Sequence, residues 1–136
     1  MSMPSPIIAS SLVAIGGGAG ALARYQAGRW MTHWLGPSTV SSFPWATLTV
    51  NVVGSLAMGL LAGWLARHGG ESAENYRLLI GVGLLGGFTT FSAFSLELML
   101  LIERGQPATA FAYGAISVLA GLSALYVGLI IMRLAA

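Results

Sequence analysis

Within the third of four apolar stretches lies the run Gly86-Gly87-Phe88-Thr89-Thr90-Phe91-Ser92-Ala93-Phe94-Ser95. Two glycines followed by two β-branched threonines are weak helix sequence. A break at membrane depth is tolerated only where the backbone is buried in protein or lines a cavity. Carbonyls freed at such a break can coordinate a cation, as the ends of discontinuous helices do in transporters. The competing explanation is a plain glycine kink, with the hydroxyls bonding back to their own helix. Phe91 and Phe94 fall on neighbouring parts of one helix face. Phenylalanine ordinarily faces lipid or core. Its ring edge is nevertheless electropositive, so aromatic edges along a dry path can stabilise a small anion without a full countercharge. Ser92 and Ser95 add hydroxyl donors on the adjoining face.

Other polar residues sit in equally apolar company. Asn51 is the only amide deep in the second stretch, within Thr47-Leu48-Thr49-Val50-Asn51-Val52-Val53-Gly54-Ser55. An unpaired polar group in hydrocarbon is costly; Asn51 is either interhelical glue or a source of N–H donors for an anion. In the fourth stretch Tyr113 and Ser117 lie one helical turn apart on the same face. With the hydroxyls of the third stretch they can form a polar track. Arg24 and Glu97 are the ionisable groups in or near the spans, where such residues are functional candidates by default. Arg24 either snorkels to an interface or lines an anion-attracting vestibule. Glu97 can pair with an arginine, cap a solvated cavity or relay protons. His33 and His68 fall in connectors, with no metal-ligand cluster around them.

These residues must be held by membrane helices. The chain has 136 residues, 56% hydrophobic and 7% charged, with a mean hydropathy of +0.81. Soluble domains carry about 25% charged residues, so this chain lacks the polar surface a soluble fold needs. Lys, Asp and Cys are absent, which excludes disulfides, thiolate metal sites and a cysteine nucleophile. The net charge of +2 comes from six Arg against four Glu with no basic run, so a nucleic-acid footprint is missing. Met1 to Ser11 lacks the basic start of a signal peptide, and its apolar stretch runs on too far.

A spanning helix needs about 20 mostly apolar residues. Four segments qualify: Ile7 to Trp30, entered through Pro4 and Pro6; Pro44 to Leu65; Leu78 to Ile102; and Ala108 to Met132, entered through Pro107. The connectors Met31 to Phe43, Ala66 to Arg77 and Glu103 to Pro107 leave no room for a second domain, so residues 1–136 read as one four-helix unit. Trp30, Trp34, Trp45, Trp64 and Tyr76 fall near span ends, as an interfacial aromatic belt does.

Orientation is nearly unmarked. Arg67, Arg77 and Arg133 share one side with both termini. Arg29 and Arg104 share the other, with Arg24 if it reaches the interface. The positive-inside rule then gives almost no preference. Either the chain inserts both ways and pairs as an antiparallel dimer, or something uncounted fixes its orientation.

Gly81-Val82-Gly83-Leu84-Leu85-Gly86 matches G-x-G-x-x-G, but a dinucleotide fingerprint must follow a strand and open a helix, and this one lies inside a hydrophobic span. Its glycines read as small residues that let helices approach. Gly16 with Gly20, Gly59 with Gly63, and Gly83 with Gly87 repeat that spacing, the pattern that drives helix association in lipid.

Gly20-Ala21-Leu22-Ala23-Arg24-Tyr25, Thr47 to Gly54 and Gly86 to Ser95 together carry a resemblance over essentially the whole chain. The chain resembles the bacterial fluoride channels of the Fluc (CrcB) family. That resemblance implies an all-α membrane protein of four transmembrane helices per subunit, the third broken mid-membrane, assembled as an antiparallel dual-topology homodimer with two fluoride pores. It implies that Phe91 and Phe94 flank bound fluoride and that Asn51 faces the pore. Ser92, Tyr113 and Ser117 join the fluoride pathway, and Arg24 sits near a vestibule. It further implies a structural Na+ at the dimer axis, held by backbone carbonyls of Gly86 and Thr89. The implied partners are fluoride, sodium, a second copy of the chain and the bilayer of a bacterial cytoplasmic (inner) membrane.

The activity implied is passive export: hydrogen fluoride enters as a neutral acid, ionises inside, and a selective pore lets the trapped anion leave. The main alternative is a small proton-coupled dual-topology multidrug exporter, which needs a carboxylate in span one, where this chain has Arg24 and no acid. A structural subunit without a transport role leaves the polar set of span three unexplained. Nothing in the sequence pairs a nucleophile with a base, so an enzyme is not expected.

Overall fold

The computed structural model describes residues 3–135, and among them every regular element is helical. Helix α1, Pro6–Leu35, starts with proline at its first position, where a missing N–H is harmless. Ser5 caps it by accepting a hydrogen bond from the Ile8 N–H at 3.4 Å. At its other end Gly36 turns the chain at φ 86°, a conformation that favours glycine. A short helix α2, Pro37–Ser42, follows, and then α3, Trp45–His68. The third helical run comprises α4, Ala73–Tyr76, a π-helical stretch Arg77–Leu85, α5, Gly86–Phe88, and, after three residues, α6, Ser92–Glu103. Helix α7, Pro107–Leu134, completes the chain, again with proline at its start.

Four helical runs are long and apolar enough to cross a membrane: Pro6–Leu35, Trp45–His68, Ala73–Glu103 and Pro107–Leu134. The chain is therefore a multi-pass, all-helical membrane protein. The helices outrun the expected spans at both ends. Met31 to Leu35 continue α1, and the second connector shrinks to Gly69–Ser72. Polar residues at a span end stay helical because the hydrogen-bond ladder continues into the interface, where hydropathy no longer marks it.

The connectors report the up-and-down arrangement directly. Arg104, after α6, donates from Nη1 to the Ser41 carbonyl of the first connector at 3.0 Å. Arg67, at the end of α3, donates to the carbonyl of Arg133 near the C-terminus. The first and third connectors thus meet at one end of the bundle, and the end of α3 meets the end of α7 at the other.

Two glycine seams set the packing. Helix α1 lies against the π-helical stretch and α5, and α3 lies against α7. A Cβ on Gly16 would overlap the Leu79 carbonyl oxygen, and one on Gly20 the Leu84 carbonyl oxygen. Across the other seam, a Cβ on Gly59 would overlap the carbonyl of Leu125. The residues of the G-x-G-x-x-G match are helical and form part of the first seam, with Gly83 against Gly16 and Gly17. Small residues here allow the backbone contact that substitutes for hydrophobic driving force in lipid.

Candidate functional site

Helical geometry in the third run lapses after Phe88. Thr89 is extended, with φ −84° and ψ 160°, and α6 begins only at Ser92. Gly86 and Gly87, the weakest helix formers of the run, remain helical. Gly87 packs closely on α1, where a Cβ would overlap the Gly17 carbonyl oxygen. The chain departs instead at the β-branched threonines, which favour extended backbone.

Side chains replace the helical partners that are lost. The Thr89 N–H and Oγ1 both donate to the Leu85 carbonyl, at 3.0 and 2.8 Å. Thr90 Oγ1 accepts from the Ala93 N–H at 3.2 Å, taking up one of the free donors in the first turn of α6. Asn51 on α3 acts as a surrogate peptide: its Oδ1 accepts from the Thr90 N–H at 2.8 Å and its Nδ2 donates to the Thr90 carbonyl at 3.0 Å. Arg24 on α1 donates from Nε to the Gly87 carbonyl at 3.1 Å. The carbonyls of Gly86 and Thr89 receive no hydrogen bond from any described residue.

Below the interruption lies an aromatic and carboxylate cluster. Tyr113 on α7 is fully buried and donates from its hydroxyl to Glu97 Oε2 at 2.8 Å. Thr47 on α3 donates to Glu97 Oε1 at 2.6 Å. The Tyr113 ring packs against Phe94 at 5.1 Å between centroids and edge-on against Phe43 at 5.3 Å. Phe94 in turn meets Phe91 at 5.8 Å in a tilted pair. Phe91 itself is 78% exposed. One turn from Tyr113, the Ser117 Oγ is buried without a hydrogen-bond partner.

Two cavities meet at Thr90. One, of about 560 Å³, is lined by Arg24, Arg29, Thr32, Thr47 and Thr90. The other, of about 410 Å³, is lined by Asn51, Ser55, Gly86, Thr89, Thr90 and Phe91.

The structure thus gathers Asn51, Phe91 and Phe94 around the interruption, places Tyr113 and Ser117 along one face of α7 beneath it, and brings Arg24 to its α1 side. Ser92 is exposed, with its Oγ 3.5 Å from Thr90 Oγ1. Ser95 donates back to the Phe91 carbonyl at 3.0 Å, so its hydroxyl proton is already engaged. Glu97 takes hydroxyl partners, not an arginine. Sequence reasoning singled out Glu97 but passed over Thr47, Thr90 and Phe43. Thr47 carried a usable signal, since it precedes Asn51 by one turn on the same helix face. Among the described residues no three His, Cys, Asp or Glu side chains gather to hold a metal.

The site is thus an interrupted run in a multi-pass helical membrane protein, clamped by an amide and a guanidinium and flanked by paired aromatics. Comparison with known sequences identifies the family. The sequence profile of CrcB-like protein, Camphor Resistance (CrcB), matches residues 11–129, and the chain belongs to this family. It is 55% identical over 134 residues to a protein of Erythrobacter litoralis (strain HTCC2594), covering 98% of each chain. To a protein of Novosphingobium aromaticivorans it is 59% identical over 125 residues, covering 92% of this chain and 96% of the relative. To one of Rhodospirillum centenum it is 52% identical over 123 residues, covering 90% and 94%. Each of the three bears the name fluoride-specific ion channel FluC.

Proposed function

We propose that this chain is a fluoride-selective passive channel that exports fluoride from the cytoplasm across the bacterial inner membrane. The observation that carries the reading is the full-length match, at 55% identity, to a protein named fluoride-specific ion channel. The site supports it chemically. A small anion needs donors that bind without trapping, and the buried, unpartnered Ser117 hydroxyl is one. Tyr113, Ser117, Ser92, the second N–H of Asn51 and the ring edges of Phe91 and Phe94 make up the proposed path. Arg24 stands at its cavity mouth. A proton-coupled multidrug exporter is not favoured, because α1 carries no acidic residue across Pro6–Leu35.

The working unit is an antiparallel homodimer with two pores. A lone subunit leaves the hollow around Asn51, Thr89 and Phe91 open to lipid. Exposed polar backbone is not tolerated there, so a second copy covers it. The near balance of arginines between the two sides fits insertion in both orientations. In this reading the interruption lies mid-membrane at the dimer axis and holds a structural Na+. The fit is chemical: hard cations take oxygen ligands, and the carbonyls of Gly86 and Thr89 are among those with no hydrogen-bond donor. When bound, the ion would supply a fixed positive charge that ties two interruptions together.

Fluoride efflux from proteoliposomes tests the path. Phe91→Ile and Phe94→Ile are expected to slow efflux while the variants still assemble. Normal conduction by both would remove the aromatics from the path.

A further inference from the structure

Arg24 and Arg29 line the same cavity wall, five residues apart on α1, yet they are held differently. Arg29 is exposed and makes no hydrogen bond or ion pair to any described residue. Arg24 is half-buried and donates from Nε to the Gly87 carbonyl, across to α5. In an unbroken helix that carbonyl would accept from the Phe91 N–H, a bond the extended Thr89 removes. The glycine seam makes the replacement possible. Gly20 lies one turn before Arg24 and packs on the Leu84 carbonyl, while Gly87 packs on Gly17, so the guanidinium is delivered to a backbone it could not otherwise reach.

We propose that Arg24 is a positioning residue that latches the Gly87 carbonyl and so holds the shape of the interruption, while Arg29 supplies the unlatched charge that draws anions into the shared cavity. The latch has a consequence for the carbonyls. With Gly87 tied to Arg24 and Thr90 tied to Asn51, the carbonyls of Gly86 and Thr89 stay free of any described donor. Arg24 therefore helps select which oxygens the interruption presents. A charge that acts at a distance is screened by salt, whereas a direct hydrogen bond of this kind is much less so.

The test compares Arg24→Gln with Arg29→Gln in the full chain, reconstituted in vesicles, by two readouts. The first is amide hydrogen exchange at Thr89, Thr90 and Ala93. Losing a bond to a charged donor should speed exchange there by about tenfold or more in Arg24→Gln, with α7 amides unchanged, and leave Arg29→Gln like the wild type. The second, which rests on the channel reading, is fluoride efflux across a salt series. Arg29→Gln should show a deficit of a few-fold at low ionic strength that fades as salt rises, on the order of a Debye-length effect. Arg24→Gln should show a deficit that salt does not relieve. Wild-type exchange rates in Arg24→Gln, or a salt-relieved deficit like that of Arg29→Gln, would overturn the assignment. If Arg24→Gln does not assemble, Arg24→Lys keeps the charge without the Nε–H. Faster exchange at the same amides is expected, and wild-type exchange with wild-type efflux would overturn the latch. Absence of efflux in the wild type would reject the channel reading alone, because the exchange comparison needs no transport.

Discussion

The two halves of the third span solve the same packing problem by opposite means. Before the interruption, the π-helical stretch and α5 meet α1 backbone to backbone, through Gly16, Gly20, Gly83 and Gly87. After it, α6 meets α7 and α3 through side chains: Phe94 on Tyr113, and Glu97 bridging Thr47 and Tyr113. At Gly83 and Gly87 the first half leaves no room for a methyl group, and among the described residues its one side-chain hydrogen bond to α1 is that of Arg24. The second half has bulk and polar ties together. A span built this way has a rigid half that fixes where the interruption falls, and a polar half that carries chemistry on from it. The π-helical stretch, Arg77–Leu85, lies within the first half, one turn before the interruption.

The contrast can be broken most severely in the glycine seam. Gly20→Leu places a side chain in the Leu84 backbone and should cost more than about 3 kcal/mol, beyond ordinary overpacking. No monodisperse protein is expected on size exclusion after extraction, and a wild-type elution profile would refute the seam. Asn51→Ala strips the Thr90 backbone of the partner for both its N–H and its carbonyl. A loss of about 2–3 kcal/mol is expected, read as a lowered thermal midpoint in detergent; an unchanged midpoint would show that the clamp holds nothing. Glu97→Gln keeps the shape but leaves one hydroxyl facing an amide N–H₂, for about 1–2 kcal/mol. Tyr113→Phe keeps the ring packing and removes one hydrogen bond, for about 1 kcal/mol by the same measurement. At the small end, Gly18→Ala meets no atom within 4 Å and should be neutral or slightly stabilising, by up to about 1 kcal/mol. If it destabilised as Gly20→Leu does, the distinction between seam and lipid faces of α1 would fail.

Much of this was readable from the residues. Length and hydropathy located four spans because lipid demands about 20 apolar residues for each. Pro6 and Pro107 marked helix starts through proline chemistry. The run from Gly86 to Ser95 marked the unusual segment, glycines and threonines together, and within it the backbone departs at the threonines. Glycine propensity is a local quantity, whereas Gly87 packs closely on Gly17 of another helix. The Glu97 partners were hidden for the same reason. Thr47 and Tyr113 lie far from Glu97 in sequence, and only the packing of α3 and α7 brings them to one carboxylate. The bond from Arg24 to Gly87 was likewise out of reach, since it depends on how closely α1 seats in its seam. What periodicity could offer was Thr47 one turn before Asn51, a polar stripe that points at the same neighbour.

The most direct test of the account places purified protein in vesicles loaded with both fluoride and chloride and follows the two anions leaving side by side. Fast fluoride efflux with negligible chloride efflux is the predicted result. Equal rates for the two anions, or no efflux of either, would contradict it.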